Sequence, residues 1–223
     1  MDASNPIFIE RDGHRTWLKW HRARRRSSDP AFTGQRILEG MRLGASVEVD
    51  LVVHGDRGFA VLHDLTADRE TTGRGRIAEL SAAALRGFYL RGQDGTPLSE
   101  HVMLLEDLCV LLAQGDLHPD ALLQLDYKED WRVLDEAALA VFRQAVGPVA
   151  KHMILSSGDA EAVRILTKDV PGLRMRSTVE RWLKLSAVNN RIAPIRRNSP
   201  RRQGDTLTSP EQVRVGHHRL DPR

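Results

Sequence analysis

The chain has 223 residues, 41% hydrophobic and 28% charged, with one cysteine, Cys109; this excludes a disordered chain, a disulfide framework and a zinc ribbon. No apolar run approaches the roughly 20 residues of a spanning helix and Met1 to Lys19 lacks the apolar block of a signal peptide, so the expectation is no membrane span and a cytoplasmic protein. The formal net charge is +3, but residues 177–223 hold 10 Lys+Arg against 4 Asp+Glu and the remainder 23 against 26, so the basic character belongs to the C-terminal segment.

In chain order, strand-like runs are predicted at Thr16 to His21, Val47 to Val53, Phe59 to His63, Ala121 to Asp126, His152 to Ser156 and Gly172 to Arg176. Helices are predicted between several of them. The first begins at Asp29 as N-cap with Pro30 in the first turn, and Gly44 closes it. The second is capped by Ser99, with Leu98 and Met103 as a hydrophobic staple and Gly115 as the stop. The third runs from Trp131, behind Asp130, to Val146.

Strands alternating with helices predict an α/β fold of parallel β/α units. No glycine-rich dinucleotide turn follows the first strand, which favours a TIM-type (β/α) barrel over a Rossmann-like sheet. A full barrel takes about 250 residues and eight strands, so six runs imply an incomplete barrel over residues 1–176. Residues 177–223 lack a sustained apolar period and read as a basic, largely disordered tail.

The polar residues within the strands carry the chemistry. Glu48 and Asp50 are two apart, so in an extended chain both carboxylates project from one face, about 6.6 Å apart at Cα, a spacing that can bracket one hard cation. Taken alone, such a pair is more often a solvated face. The coincidence is that His21, Asp50, His63 and Asp126 lie at or near predicted strand ends, with Lys128 just beyond, and the C-terminal strand ends form the active-site face of a barrel. Carboxylates for a divalent ion, Arg22 and Lys128 as fixed positive charge, and histidines that move protons near neutral pH suit phosphoryl chemistry.

His21-Arg22, GASVEVD at Gly44 to Asp50, VLHDLTADRETTGRG at Val61 to Gly75 and LQLDYK at Leu123 to Lys128 together resemble the successive signatures of the glycerophosphodiester phosphodiesterases, phospholipase-C-like barrels, over roughly Trp17 to Arg176. The resemblance implies His21 and His63 as general acid and base, and Glu48, Asp50 and Asp126 as ligands of a divalent metal, Mg²⁺ or Ca²⁺. It implies Arg22 and Lys128 as phosphate-binding residues. A small-molecule or lipid-derived phosphodiester would be the substrate, cleaved through a cyclic phosphate to an alcohol and glycerol 3-phosphate.

Four departures accompany the resemblance. Ala23 stands where the family has glycine, Pro30-Ala31-Phe32-Thr33 replaces Pro-Glu-Asn-Thr, Asp126 replaces a glutamate, and the family's last strands are not found after Arg176. Two other functions remain open from sequence: a catalytically impaired barrel remnant, and nucleic-acid binding through Arg196, Arg197, Arg201 and Arg202. The Pro- and Ser-rich setting of those arginines, without interleaved aromatics, argues against nucleic acid.

Overall fold

The computed structural model describes residues 7–175; the predicted tail and the boundary at residue 176 lie outside the described residues. An antiparallel hairpin, β1 (Phe8–Arg11) and β2 (His14–Trp17), comes first. It is followed by β3 (Lys19–Trp20), β4 (Ser46–Val53), the short β5 (Phe59–Ala60) and a second hairpin of β6 (Tyr89–Arg91) and β7 (Pro97–His101). The last strands are β8 (Leu122–Tyr127), β9 (Met153–Ser157) and β10 (Arg174–Met175). The helices are α1 (Gly34–Leu43), α2 (Ala82–Gly87), α3 (Leu105–Ala113), α4 (Glu136–Val146) and α5 (Ala160–Thr167).

Strands β3, β4, β8, β9 and β10 are spatial neighbours in chain order, and every adjacent pair is parallel. Helices α1, α3, α4 and α5 lie in the successive connections. Sequential winding without a reversal of strand order is the arrangement of a (β/α) barrel, whereas a doubly wound sheet would contain a switch point. The protein is thus α/β, with a parallel sheet that forms part of a TIM-type barrel. Among the described residues no helix is long and apolar enough to cross a membrane.

Strand alternation separates two chemistries. Val47, Val49, Leu51, Leu123, Leu125 and Leu155 are fully buried on one face. The other face carries Glu48, Asp50, Gln124, Asp126 and Ser156, because successive side chains point oppositely. Parallel register sets Glu48 beside Gln124, and Asp50 beside Asp126, itself beside Ser156. Helix α1 covers the apolar face so closely that a Cβ on Gly40 would lie 2.5 Å from Val47 Cγ2 and 3.0 Å from Trp20 Cε3. Val47 is β-branched and fully buried, so it has little room to yield. Gly40→Ala is therefore expected to destabilise the fold by about 2 kcal/mol despite the better helix propensity of alanine, measurable as a lowered denaturant midpoint.

Several predicted elements are corrected. The run Phe59 to His63 does not form a parallel strand: only Phe59–Ala60 is extended, paired antiparallel to the end of β4. Val61 and Leu62 are still fully buried, and burial without sheet pairing leaves the same apolar pattern in a sequence. The run Thr16 to His21 is divided between β2 and β3. Asp29 does not cap α1; its Oδ2 accepts the backbone N–H groups of Arg25 (3.1 Å) and Arg26 (2.9 Å), closing a turn, and the helix starts after Thr33. Ser99 lies in β7, and α3 starts at Leu105, where Asp107 Oδ2 accepts the Leu104 N–H at 3.1 Å. Trp131–Val133 is a separate 3-10 turn before α4, which is capped by Asp135. Gly44 does end α1, at φ +80°.

Candidate active site

Three carboxylates form the centre. Glu48 and Asp50 come from β4 and Asp126 from β8, and each offers an oxygen within 4.8 Å of the others. The side chain of Asp50 is fully buried and that of Glu48 is 3% exposed. Lys128 Nζ lies 2.7 Å from Asp50 Oδ1 and also donates to Asp126 Oδ2. On its far side Asp126 accepts from Ser156 Oγ, which in turn accepts from Gln124 Nε2 at 2.7 Å. Burial, and next the charge of Glu48, push the Asp50 carboxyl up to about 6, while Lys128 opposes the shift.

His21 and Arg22 reach this cluster from a tight turn after β3. The register that pairs Trp20 with Val47 sets the next residue of each strand, His21 and Glu48, side by side. His21 Nε2 is 3.9 Å from Glu48 Oε2, and the Arg22 N–H donates to the same oxygen at 2.8 Å. The Arg22 guanidinium is 3.3 Å from Asp50 Oδ2 and 3.7 Å from Glu70 Oε1. Burial lowers the His21 pKa, with Glu48 pulling the other way.

The turn requires left-handed backbone at Arg22 (φ +55°), Ala23 (φ +57°) and Phe32 (φ +61°). Ala23 and Phe32 are the positions where the resembled family carries glycine and asparagine, the two residues that adopt this conformation at least cost. Ala23→Gly is expected to stabilise the protein by about 1 kcal/mol, because the strain removed exceeds the added freedom of the unfolded chain. Equilibrium denaturation checks the sign.

His63 arrives from the loop after β5. Its N–H and that of Asp64 donate to Glu70 Oε2 at 2.9 and 3.0 Å, so one carboxylate fixes the loop. His63 Nδ1 is 2.9 Å from Asp64 Oδ1, and Arg69 donates twice to Asp64 at 2.6 Å. The Arg69 hydrogen bonds, followed by the one from His63, hold the Asp64 carboxyl down to about 2 from an ordinary 3.8. A depressed carboxyl contributes stability above its unfolded pKa and loses it as pH falls toward the folded value. Asp64→Asn is thus expected to cost about 1 kcal/mol at pH 7, after allowance for the exposure of Arg69, and the deficit should vanish between about pH 4 and pH 2 in paired melting curves.

The fold brings His21, Arg22, Glu48, Asp50, Asp126 and Lys128 into one cluster through the contacts above. His63 is tied to the cluster indirectly, through Glu70, which accepts its N–H and pairs with Arg22. Sequence reading missed Glu70, Asp64 and Ser156. Glu70 sits inside the motif Val61 to Gly75, and its carboxylate position seven residues after His63 was the available signal. Nothing local distinguishes Ser156, which becomes informative only through its register with Asp126.

The donor set fits a hard divalent cation. Both Asp50 oxygens are buried without an aligned hydrogen bond, although Lys128 and Arg22 stand near them. Three carboxylates and no imidazole or thiolate make an all-oxygen cluster of the kind Mg²⁺ and Ca²⁺ prefer.

No family model matches the sequence, and no curated protein matches it. Solved structures do. A glycerophosphoryl diester phosphodiesterase domain from Mycobacterium tuberculosis is similar with a TM-score of 0.55 at 19% identity, over 79% of this chain and 66% of that one. A glycerophosphodiester phosphodiesterase from Agrobacterium tumefaciens gives 0.51 at 22% identity, over 70% and 64%. A phosphodiesterase from Oleispira antarctica, solved with the product sn-glycerol-3-phosphate, gives 0.54 at 20% identity, over 75% and 71%. The chain has the glycerophosphodiester phosphodiesterase fold. It spans about two thirds of the length of those structures.

Proposed function

We propose that the protein is a divalent-metal-dependent phosphodiesterase that hydrolyses glycerophosphodiesters to an alcohol and glycerol 3-phosphate. The observation that carries this reading is the buried Glu48, Asp50 and Asp126 cluster flanked by Arg22 and Lys128, with His21 beside it and His63 on the β5 loop that Glu70 ties to Arg22. The common fold, and the glycerol 3-phosphate held by the Oleispira structure, support the choice of substrate.

Glu48, Asp50 and Asp126 would hold Mg²⁺ or Ca²⁺, which supplies positive charge to a phosphate oxygen. Arg22 and Lys128 bind and orient the phosphodiester, and their charges meet the negative charge that develops on it. Because Asp64 is ionised and accepts from His63 Nδ1, the His63 proton resides on Nδ1 and Nε2 is left as the proton acceptor. His63 then takes the proton of the attacking glycerol hydroxyl, and His21 gives a proton to the departing alcohol oxygen. Water later opens the resulting cyclic phosphate to glycerol 3-phosphate, with the two histidines in reversed roles.

The deciding experiment measures glycerol 3-phosphate release from a panel of glycerophosphodiesters with Mg²⁺ or Ca²⁺ added. Release that depends on the metal supports the reading. No release from any diester with either ion overturns it. A cytoplasmic location accompanies this proposal and is checked by fractionation.

A further inference from the structure

Beside the carboxylate cluster lies a pocket of about 220 Å³ lined by Arg22, Arg24, Arg69 and Arg91, with Phe32 and Leu90 among its apolar walls and Glu70 as its one carboxylate. Two of the arginines are paired with carboxylates. Arg22 is shared between Asp50 and Glu70, and Arg69 is bound to Asp64. The other two are not. Arg91 donates through Nε to the Thr71 carbonyl and through a terminal nitrogen to the Gly95 carbonyl, both at 2.6 Å, so its guanidinium is rigidly held by neutral groups. The Arg24 side chain is half-buried and has no hydrogen-bonding or ion-pair partner among the described residues.

Two uncompensated guanidinium groups in a concave, part-apolar site attract an anion, and their planar forks match the oxygens of phosphate or carboxylate. The single negative charge of the phosphodiester faces Arg22 and Lys128 at the cluster, and would face a cation held on the carboxylates there, so it leaves these two arginines without an anion. Arg22 joins the two places, with its guanidinium touching Asp50 toward the cluster and Glu70 toward the pocket. The pocket and the cluster therefore share the Arg22 side chain as a common wall.

We propose that this pocket receives a second anionic group, a phosphate or carboxylate, carried by the alcohol portion of the substrate, so that the protein selects glycerophosphodiesters with anionic headgroups. This rests on the phosphodiesterase reading for the nature of the substrate; the anion pocket itself does not.

The test compares glycerol 3-phosphate release from glycerophosphoinositol 4-phosphate and from glycerophosphocholine, in wild-type protein and in Arg24→Gln. Wild type should favour the anionic diester at least about tenfold in kcat/KM, and the variant should lose about tenfold of that ratio, mainly through KM, the size of one charge-assisted pair. Arg91→Gln should shift the ratio in the same direction. Inorganic phosphate binding, followed by calorimetry with a chelator present, should weaken about tenfold in Arg24→Gln. An unchanged substrate ratio in both variants overturns the proposal, and if phosphate binding nonetheless falls, the pocket takes free anions rather than the headgroup. Arg24-dependent phosphate binding in a protein that cleaves no diester would overturn the phosphodiesterase reading while supporting the anion pocket.

Discussion

Chelation of divalent cations is expected to abolish glycerophosphodiester turnover, and Glu48→Gln to leave less than about one hundredth of the wild-type rate at limiting Mg²⁺ or Ca²⁺. Glu48, Asp50 and Asp126 gather three carboxylates within 4.8 Å, against the two cations Arg22 and Lys128. An incoming phosphodiester adds a further negative charge. At contact distances near a protein surface, each unmatched like-charge pair costs about 4 kcal/mol, which is comparable to the stabilisation a substrate would gain there. A bound cation reverses that sign. Glutamine at position 48 still accepts the Arg22 N–H, which now bonds Glu48 Oε2 at 2.8 Å, so the turn survives while the charge is lost. A hundredfold loss corresponds to about 2.7 kcal/mol. The measurement is rate against metal concentration, with thermal stability as a second readout: added metal should raise the melting temperature of wild type and do so less in Glu48→Gln or Asp126→Asn. Full turnover in the presence of chelator would sink the assignment.

His21→Ala and His63→Ala should each lower turnover by about 10² to 10⁴ without loss of fold. The double variant should lose less than the product of the single losses if the two imidazoles serve one mechanism. Stability should change little in His21→Ala, because the His21 side chain is 60% exposed. In His63→Ala the loop should persist, because Glu70 holds it through the backbone N–H groups of residues 63 and 64 and Arg69 still holds Asp64. Circular dichroism separates a chemical loss from an unfolded protein. Product-like multiplication of the two losses would place the histidines in independent steps.

Much of the candidate site was legible because it is written in strands. Period two places Glu48 and Asp50 on one face whatever the rest of the chain does, and Asp126 follows the same rule in β8, with Lys128 just beyond the strand end. The residues that support the site were less legible because their roles depend on loops. Glu70 reaches back over seven residues to bond two backbone N–H groups, and no periodicity announces a carboxylate that bonds backbone. The predicted third strand failed for a related reason. Val61 and Leu62 are buried outside any strand, with the Val61 N–H donated to the Met103 carbonyl at 3.0 Å, and apolar sequence reports burial alone.

The sequence by itself determined the β/α alternation and the shared face of Glu48 and Asp50, since these follow from hydrophobic period and strand alternation. Tertiary structure decided the rest. Parallel register brought Asp50 level with Asp126 and Ser156, and the left-handed turn at Arg22 and Ala23 carried one guanidinium to both Asp50 and Glu70. The loop after β5 gave His63 its carboxylate partner, and the same loop with the β6–β7 hairpin placed Arg69 and Arg91 around one pocket. Asp50 and Asp126 are 76 positions apart in the chain, and local propensity carries no information about which distant groups meet. Packing of the whole core selects them.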